Sequence, residues 1–569
     1  MIFTELLVTE VSTTTNATLF RRLAAALAGL ALVAGLAAAP APATLTVLHT
    51  SDLHGHVDPR DEPADRDFGE GLARIATAVR AARAEGRPLL LLDSGDTIQG
   101  SPTQALVFSG AIPDKGDPTV RAMNLVGYDA MAVGNHEFDF GLARLKKSQS
   151  EAKFPWLSAN IVGKDGKPAF APYVVKTVNG VRVGILGLTT QAVPSWEPSS
   201  HLAGLKFEDT AEAAKRWVPV LRGKERCDVV LVLAHFGLER SLETGKESDS
   251  TPGENQAYAI ATEVPGIDIL LTGHTHSAIE PRRLGPTWVS QPGRFGNTLT
   301  RFDLTLEKAG GRWKVVGVSG SNQTMKATAP DAEIVRAVAA EQAAALPILS
   351  EPVAILEKPV SARAARTADT GLVDWLHAVQ REQGKADLSF ASFLPGSLPD
   401  WPAGPLTVRQ IWAFYPYENK LVTVRATGKQ VREALEVAAR CVSGIVVQDG
   451  KPVWQRNAAV WGYNCDTLDG AEYAIDPMRP EGSRVLFLRR EGRPVRDDDA
   501  FTVAINSYRA SGGGGYGVWR DCPRVSELPD SLRDLLIADA RRRKALRLEA
   551  NQNWFLVPAL PEGRFSLNP

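Results

Sequence analysis

Five short stretches of the chain carry side chains that could do chemistry together. They are Asp52-Leu53-His54, Gly95-Asp96, Gly134-Asn135-His136-Glu137-Phe138-Asp139, His235 and Gly273-His274-Thr275-His276. With His136, Glu137 and Asp139 left aside, they offer two aspartates, one asparagine and four histidines. Oxygen and imidazole donors with no thiolate suit Mn, Zn, Fe or Co rather than copper or an iron–sulfur cluster. Seven donors are too many for one tetrahedral ion. They suffice for two ions if a carboxylate bridges. Two ions about 3.5–4 Å apart can share a water, lower its pKa and clamp a phosphoryl oxygen. Each stretch alone is weak, and Gly-Asn-His could be a simple turn. Their succession within one region makes the set. His49, His56, His201 and His377 read as ordinary structural histidines, His56 being the one nearest to a role.

Four of the five stretches directly follow an apolar β run. The runs are Leu45–Leu48, Leu89–Leu92, Val181–Leu188, Val229–Ala234 and Ile267–Leu271. Such runs separated by helix-like segments predict a layered α/β domain over 44–325. Ligands at the carboxyl ends of strands are where α/β sheets place their sites. Asp331–Pro347 reads as one Ala-rich amphipathic helix, capped by Asp331 and ended by Pro347. It connects the first domain to a second over 352–569, with 326–351 as the linker. Pro529–Leu548 reads as a helix whose Arg541-Arg542-Arg543-Lys544 patch is a solvated face.

The 569 residues, 44% hydrophobic and 23% charged, are globular in composition. A formal net charge of -1 gives no case for gripping a nucleic-acid polymer. Four cysteines exclude a disulfide scaffold. Among Cys441, Cys465 and Cys522 at most one bridge is expected, and each could equally be a buried thiol. Arg21 and Arg22 precede the apolar segment 23–39, and small residues follow it to Ala43. This is the pattern of a secretory leader cleaved within 39–43, so 1–43 is set apart as a signal peptide. It is short and weakly apolar for a membrane span. The expected location is the periplasm or the outside of the cell.

The order D-x-H, G-D, G-N-H-(E/D), H, G-H-x-H resembles that of the calcineurin-like metallophosphoesterases. With its second region the chain resembles the secreted bacterial 5′-nucleotidases, which include 2′,3′-cyclic-nucleotide 2′-phosphodiesterase/3′-nucleotidases. The resemblance implies a layered α/β/β/α metallophosphoesterase sandwich, a connecting helix and a C-terminal α+β substrate-binding domain. It implies an exported dimetal phosphoesterase that hydrolyses nucleotides by attack of a metal-activated hydroxide on phosphorus. Asp52, His54 and His276 then match ligands of a first ion, and Asn135, His235 and His274 those of a second. Asp96 matches the bridge. His136 matches the histidine that assists the leaving group, and Asp139 its dyad partner. Gly293-Arg294-Phe295-Gly296 matches a loop near the site.

The second domain carries Tyr415-Pro416-Tyr417-Glu418-Asn419, Asp466–Gly470 and Asn506-Ser507-Tyr508-Arg509 followed by Ser511–Tyr516. These resemble the family's substrate domain. Tyr417 and Tyr508 fall where it sandwiches a nucleobase, and stacking holds any base at about 1–3 kcal/mol per face. The run at Gly512 and Gly513 would let backbone approach the ligand. Arg363 aligns with a substrate arginine. Two features depart from the 5′-nucleotidase branch: Ser392–Gly396 lacks its arginine, and Gly514 stands where it has an aspartate. Gln99-Gly100-Ser101-Pro102 and Asn506–Arg509 look closer to the cyclic-nucleotide branch. A thiosulfohydrolase of the same fold and a non-catalytic secreted binding protein are the alternatives. The sequence leaves open the metal, the ester, the base and the oligomeric state.

Overall fold

The computed structural model describes residues 42–247, 253–558 and the backbone of 565–566. Apart from its last two residues, the expected leader lies outside the described residues. Ala43 already opens the first strand.

Two six-stranded sheets face each other in the first domain. In one, β1 (Ala43–Thr50), β2 (Leu89–Asp93), β3 (Ala130–Ala132) and β4 (Trp156–Leu157) run parallel. In the other, β5 (Val181–Thr189), β6 (Val229–His235), β7 (Ile269–Thr272) and β8 (Thr287–Pro292) do the same. The antiparallel hairpin β9 (Thr298–Ala309) and β10 (Arg312–Thr324) closes the first sheet beside β1.

These strands are covered on both faces, which is why they read as unbroken apolar runs. Alternate side chains go to opposite sides. Leu45, Val47, Leu90, Leu92, Leu231 and Leu233 pack between the sheets. Leu48 and Leu91 turn outward to meet Ile75, Val79, Val120 and Met123 on helices α1 (Leu72–Ala84) and α2 (Pro118–Val126). Val230 and Val232 turn outward to Ala213, Val218 and Ile260 on α3 (Thr210–Pro219) and α4 (Ala257–Glu263). The four layers are the expected α/β/β/α sandwich.

The connector differs from its expected extent. Helix α5 (Ala332–Ser350) is capped by Asp331, whose side chain accepts from the Glu333 and Ile334 amides. Pro347 lies inside it and does not end it. The ring removes one backbone hydrogen bond, while Ala345 and Leu349, buried in the second domain's core, anchor the last turn. The other end belongs to the first domain: Ile334 and Val338 join the core of α1 and α2, and Arg121 pairs with buried Glu341 at 2.8 Å.

The second domain is built on a five-stranded sheet. Its strands are β11 (Leu388–Ser392), β12 (Lys420–Thr427), β13 (Asp466–Asp469), β14 (Ala500–Asn506) and β15 (Arg524–Ser531), in the order β13-β11-β14-β12-β15. Pro529 lies within β15 rather than opening a helix, and the final helix α6 runs Leu532–Arg543. Arg541, Arg542 and Arg543 pair at the surface with Glu351, Glu382 and Asp539, the solvated face expected of them. Of the cysteines, Cys441 and Cys465 are bridged, while Cys227 and Cys522 are free and buried.

Candidate dimetal site

The parallel strands of both sheets end at one cleft. Asp52 and His54 follow β1, Asp96 follows β2, and Asn135 and His136 follow β3. His235 is the last residue of β6, and His274 and His276 follow β7. The chain must turn sharply to bring these side chains inward. Asp52, His54, Asp96, His274 and His276 all have positive φ, between 48° and 70°. That backbone is costly for residues other than glycine and clusters at functional sites.

The glycines of the motifs serve close approach. A Cβ on Gly134 would lie 2.3 Å from Asp96 Oδ1, and one on Gly273 would lie 2.1 Å from Ser51 Oγ. The loops are tied by Glu137, which is fully buried. Its carboxylate accepts from the amides of Gly134 (2.6 Å), Asp96 (2.9 Å), Thr97 (2.6 Å) and Ile98 (3.3 Å).

Two groups of donors result. Asp52, His54 and His276 form one, and Asp96, His235 and His274 the other, with ligand atoms within 4.8 Å of one another in each. Asn135 Oδ1 joins the second, 3.0 Å from His235 Nε2 and 2.9 Å from His274 Nδ1. Asp96 reaches both groups: its Oδ2 lies 3.0 Å from His235 Nε2 and 3.9 Å from His54 Nε2.

The donors fit divalent cations. Asp96 Oδ2 is buried with no well-aligned hydrogen-bond donor. His54 Nε2 and His276 Nε2 face each other at 2.9 Å. Three rings are held from behind. His235 Nδ1 donates to the Ser94 carbonyl (2.7 Å), His54 Nδ1 to the Gln99 carbonyl (2.9 Å) and His274 Nε2 to Glu254 (2.9 Å). Carbonyl and carboxylate oxygens only accept, so each ring in its neutral form turns a bare nitrogen to the cleft, as metal-bound histidines do. Burial holds His54 down at about 3 and lowers His276 as well. Burial opposes charge on His235 too, but Asp96 outweighs it and pushes that ring up to about 9. Arg294 donates to His276 Nδ1 at 3.2 Å, and Phe295 stacks on His56 with centroids 4.1 Å apart.

His136 stands beside these groups. Its amide donates to Asp96 Oδ1 (2.8 Å) and its Nδ1 to Asp139 Oδ2 (2.9 Å). Burial disfavours the imidazolium, yet the carboxylates of Asp139 and Asp96 override it and push His136 up to about 10.

The second domain forms the facing wall of the cleft, a cavity of 2110 Å³ that Tyr417 and Tyr508 line together with Tyr463. Burial raises all three phenols, so they stay neutral, and the neighbouring Glu254 adds to the rise at Tyr463 and Tyr508. The carboxylate that holds His274 is thus also beside the tyrosines. Arg509 organises this wall from behind. It forms a buried two-point ion pair with Asp466 at 2.7 Å, donates to the Tyr463 carbonyl (2.8 Å) and the Gly513 carbonyl (3.1 Å), and lies 5.1 Å from the centre of the Tyr508 ring. The Cys441–Cys465 bridge pins the same loop.

Three expected residues lie elsewhere. Arg363 is not brought to the cleft: its side chain is 79% exposed and pairs with Asp400 at 3.0 Å. Arg366, three residues on in the same turn, lines the cleft in its place, donating to the carbonyls of Gly462 (3.0 Å) and Phe393 (3.2 Å). Gly512 and Gly513 lie behind the wall. A Cβ on Gly513 would sit 2.4 Å from the Tyr508 ring, so that glycine lets the ring pack, while Gly514 and Gly515 reach the cleft. Tyr463 and Glu254 were not singled out in the sequence. The Trp461-Gly462-Tyr463 cluster beside Cys465 is the one signal for the first, and an isolated loop glutamate offers none for the second.

The calcineurin-like phosphoesterase family matches residues 45–278, and the 5′-nucleotidase C-terminal domain matches 349–520. The 2′,3′-cyclic-nucleotide 2′-phosphodiesterase/3′-nucleotidase of Salmonella typhimurium is 29% identical over 589 residues, covering 90% of this chain and 89% of that one. The trifunctional nucleotide phosphoesterase protein YfkN of Bacillus subtilis is 28% identical across 90% of this chain, which spans only 39% of that longer protein. A Staphylococcus aureus structure described as a 5′-nucleotidase superposes with a TM-score of 0.80 at 26% identity, covering 90% of this chain and all of its own.

Proposed function

Because the chain belongs to the calcineurin-like phosphoesterases that carry a 5′-nucleotidase C-terminal domain, we propose that it hydrolyses nucleotide phosphoesters at a two-metal centre. Asp52, His54 and His276 would hold one ion, Asn135, His235 and His274 the other, and Asp96 would serve both. The observation that carries this is Asp96, whose buried Oδ2 reaches both donor groups, 3.0 Å from His235 Nε2 and 3.9 Å from His54 Nε2, with no well-aligned hydrogen-bond donor. Bound divalent ions supply Lewis acidity for the attacking water and offset charge on the phosphoryl oxygens.

The remaining steps fall to the chain. Asp139 occupies His136 Nδ1, so Nε2 is the atom that can give a proton to the departing alkoxide. Tyr417, Tyr463 and Tyr508 stack the base, and Arg366 meets anionic or hydroxyl groups between base and metals. We place 2′,3′-cyclic and 3′-esters ahead of 5′-monoesters. Gly514 leaves no carboxylate where the 5′ branch has one, and the Salmonella relative carries the cyclic-nucleotide name. Arg21, Arg22 and the apolar segment 23–39 support export, as does a disulfide suited to an oxidising compartment. Among the described residues no helix is long and apolar enough to cross a membrane.

The test is phosphate and nucleoside release from 5′-AMP, 3′-AMP and 2′,3′-cyclic AMP with Mn added and Asp96→Ala as control. The cyclic ester and 3′-AMP should turn over fastest. Turnover of 5′-AMP above both reverses the ester preference, and no turnover of any with metal bound removes the nucleotide reading.

A further inference from the structure

Three glycines in the second-domain wall each make room for one side chain at the cleft. A Cβ on Gly462 would sit 2.9 Å from Arg366 Nε, and one on Gly513 would sit 2.4 Å from the Tyr508 ring. The third is Gly514, where a Cβ would lie 2.3 Å from Asn464 Oδ1. Arg366 and Tyr508 already have parts in binding. Asn464 has none, yet it too lines the cleft.

Asn464 is fixed everywhere except at its amide. Its N–H donates to the Trp461 carbonyl (2.8 Å), and its carbonyl accepts from the Tyr516 hydroxyl (2.8 Å). Before it, the Tyr463 carbonyl is held by Arg509; after it, Cys465 is bridged to Cys441. The side chain takes no part in this scaffold. Oδ1 is enclosed against Gly514 with no donor, while Nδ2 makes no hydrogen bond among the described residues and is not enclosed. Leaving an enclosed amide oxygen unpaired costs stability, and an orphan of this kind calls for a reason outside the fold.

The position of the amide supplies that reason. Asn464 follows Tyr463 in the chain, and Gly514 follows the glycine that seats Tyr508. The amide thus stands at the rim of the aromatic wall. A base stacked on that wall gives its faces to the rings, so only its edge is left for polar contacts. Every base edge carries nitrogen or oxygen acceptors. We propose that Asn464 is a specificity-determining residue that donates from Nδ2 to an acceptor on the edge of the stacked base, and that position 514 is glycine so that the amide can lie there. Since an N–H finds an acceptor on any base, the contact favours nucleotides over other phosphate esters rather than one base over another. The inference rests on the tyrosines stacking the base.

The experiment measures KM and kcat for 3′-AMP, its 2′-deoxy analogue and p-nitrophenyl phosphate, with bound metal followed in each variant. Asn464→Ala should raise KM for both nucleotides about five- to tenfold at unchanged kcat, the scale of one hydrogen bond between neutral groups. Turnover of p-nitrophenyl phosphate and the metal content should stay at the wild-type level. Asn464→Asp keeps the shape but only accepts, so it should lose as much as the alanine variant. Gly514→Ala should raise KM by displacing the amide, and adding it to Asn464→Ala should cost little more. An unchanged KM, an equal loss on p-nitrophenyl phosphate, or an Asn464→Asp variant as good as wild type overturns the proposal. So does a loss confined to 3′-AMP, which would place the contact on the ribose 2′-hydroxyl. Tyr508→Ala separates the two readings. If it leaves KM for 3′-AMP unchanged, the base does not stack there and the proposal falls with that reading; if it raises KM and Asn464→Ala does not, only the proposal fails.

Discussion

The two walls of the cleft are built by different means. The first-domain wall places acids and imidazoles on loops that leave buried parallel strands, with five of those residues held at positive φ. The second-domain wall presents neutral phenols on loops fixed from behind by the Arg509–Asp466 pair and a disulfide. On one side the buried strands hold the loops that carry the donors, as two-metal chemistry requires. On the other, flat rings need only a common plane, and stacking tolerates small errors. Chemistry and recognition thus sit on separate frames, joined at Glu254, which holds His274 and neighbours Tyr463 and Tyr508.

Variants that damage one wall and spare the other sharpen this contrast. The largest effect belongs to Asp96→Ala, which removes the shared donor. Turnover should fall by about four powers of ten, since metal assistance supplies several kcal/mol. Metal analysis should show that both ions are weakened, while nucleotide still quenches tyrosine fluorescence. His136→Ala should lose about two to four powers of ten on nucleotides with metal content intact; loss of metal instead would make it a ligand. Asp466→Ala leaves the Arg509 charge buried and unpaired, a loss of about 3–5 kcal/mol in stability. Denaturant unfolding should register it, and metal affinity should not. The smallest contrast is between arginines. Arg366→Ala should raise KM about ten- to a hundredfold, the scale of a charged hydrogen bond, and Arg363→Ala should leave KM as it is. Equal effects would bring Arg363 back to the substrate.

The metal wall was largely legible in the sequence. Its residues sit in short motifs straight after apolar runs, so strand position and side-chain type agree locally. Helix α5 was legible up to Pro347, where burial of Leu349 in another domain overrides a local stop signal. The recognition wall was less so, because its members meet across long sequence separations. Arg363 and Arg366 are three residues apart, and only the path of the following loop decides which one faces the cleft. Gly513 looks like a ligand loop in sequence, yet it exists to seat Tyr508. Glu137 stands inside a motif and was given no role, since its amide partners at 96–98 lie about forty residues away. The partner of Cys465 depends on a fold that spacing alone does not specify.

The division between the walls is tested most directly by the double variant Tyr417→Ala/Tyr508→Ala, assayed on the best nucleotide and on p-nitrophenyl phosphate. The account predicts that kcat/KM for the nucleotide falls by about 2 kcal/mol or more, the loss of two stacking faces, while the small ester is hydrolysed at the wild-type rate. An unchanged nucleotide rate would contradict the account, for it would leave the tyrosines idle and the second domain without the recognition role given to it.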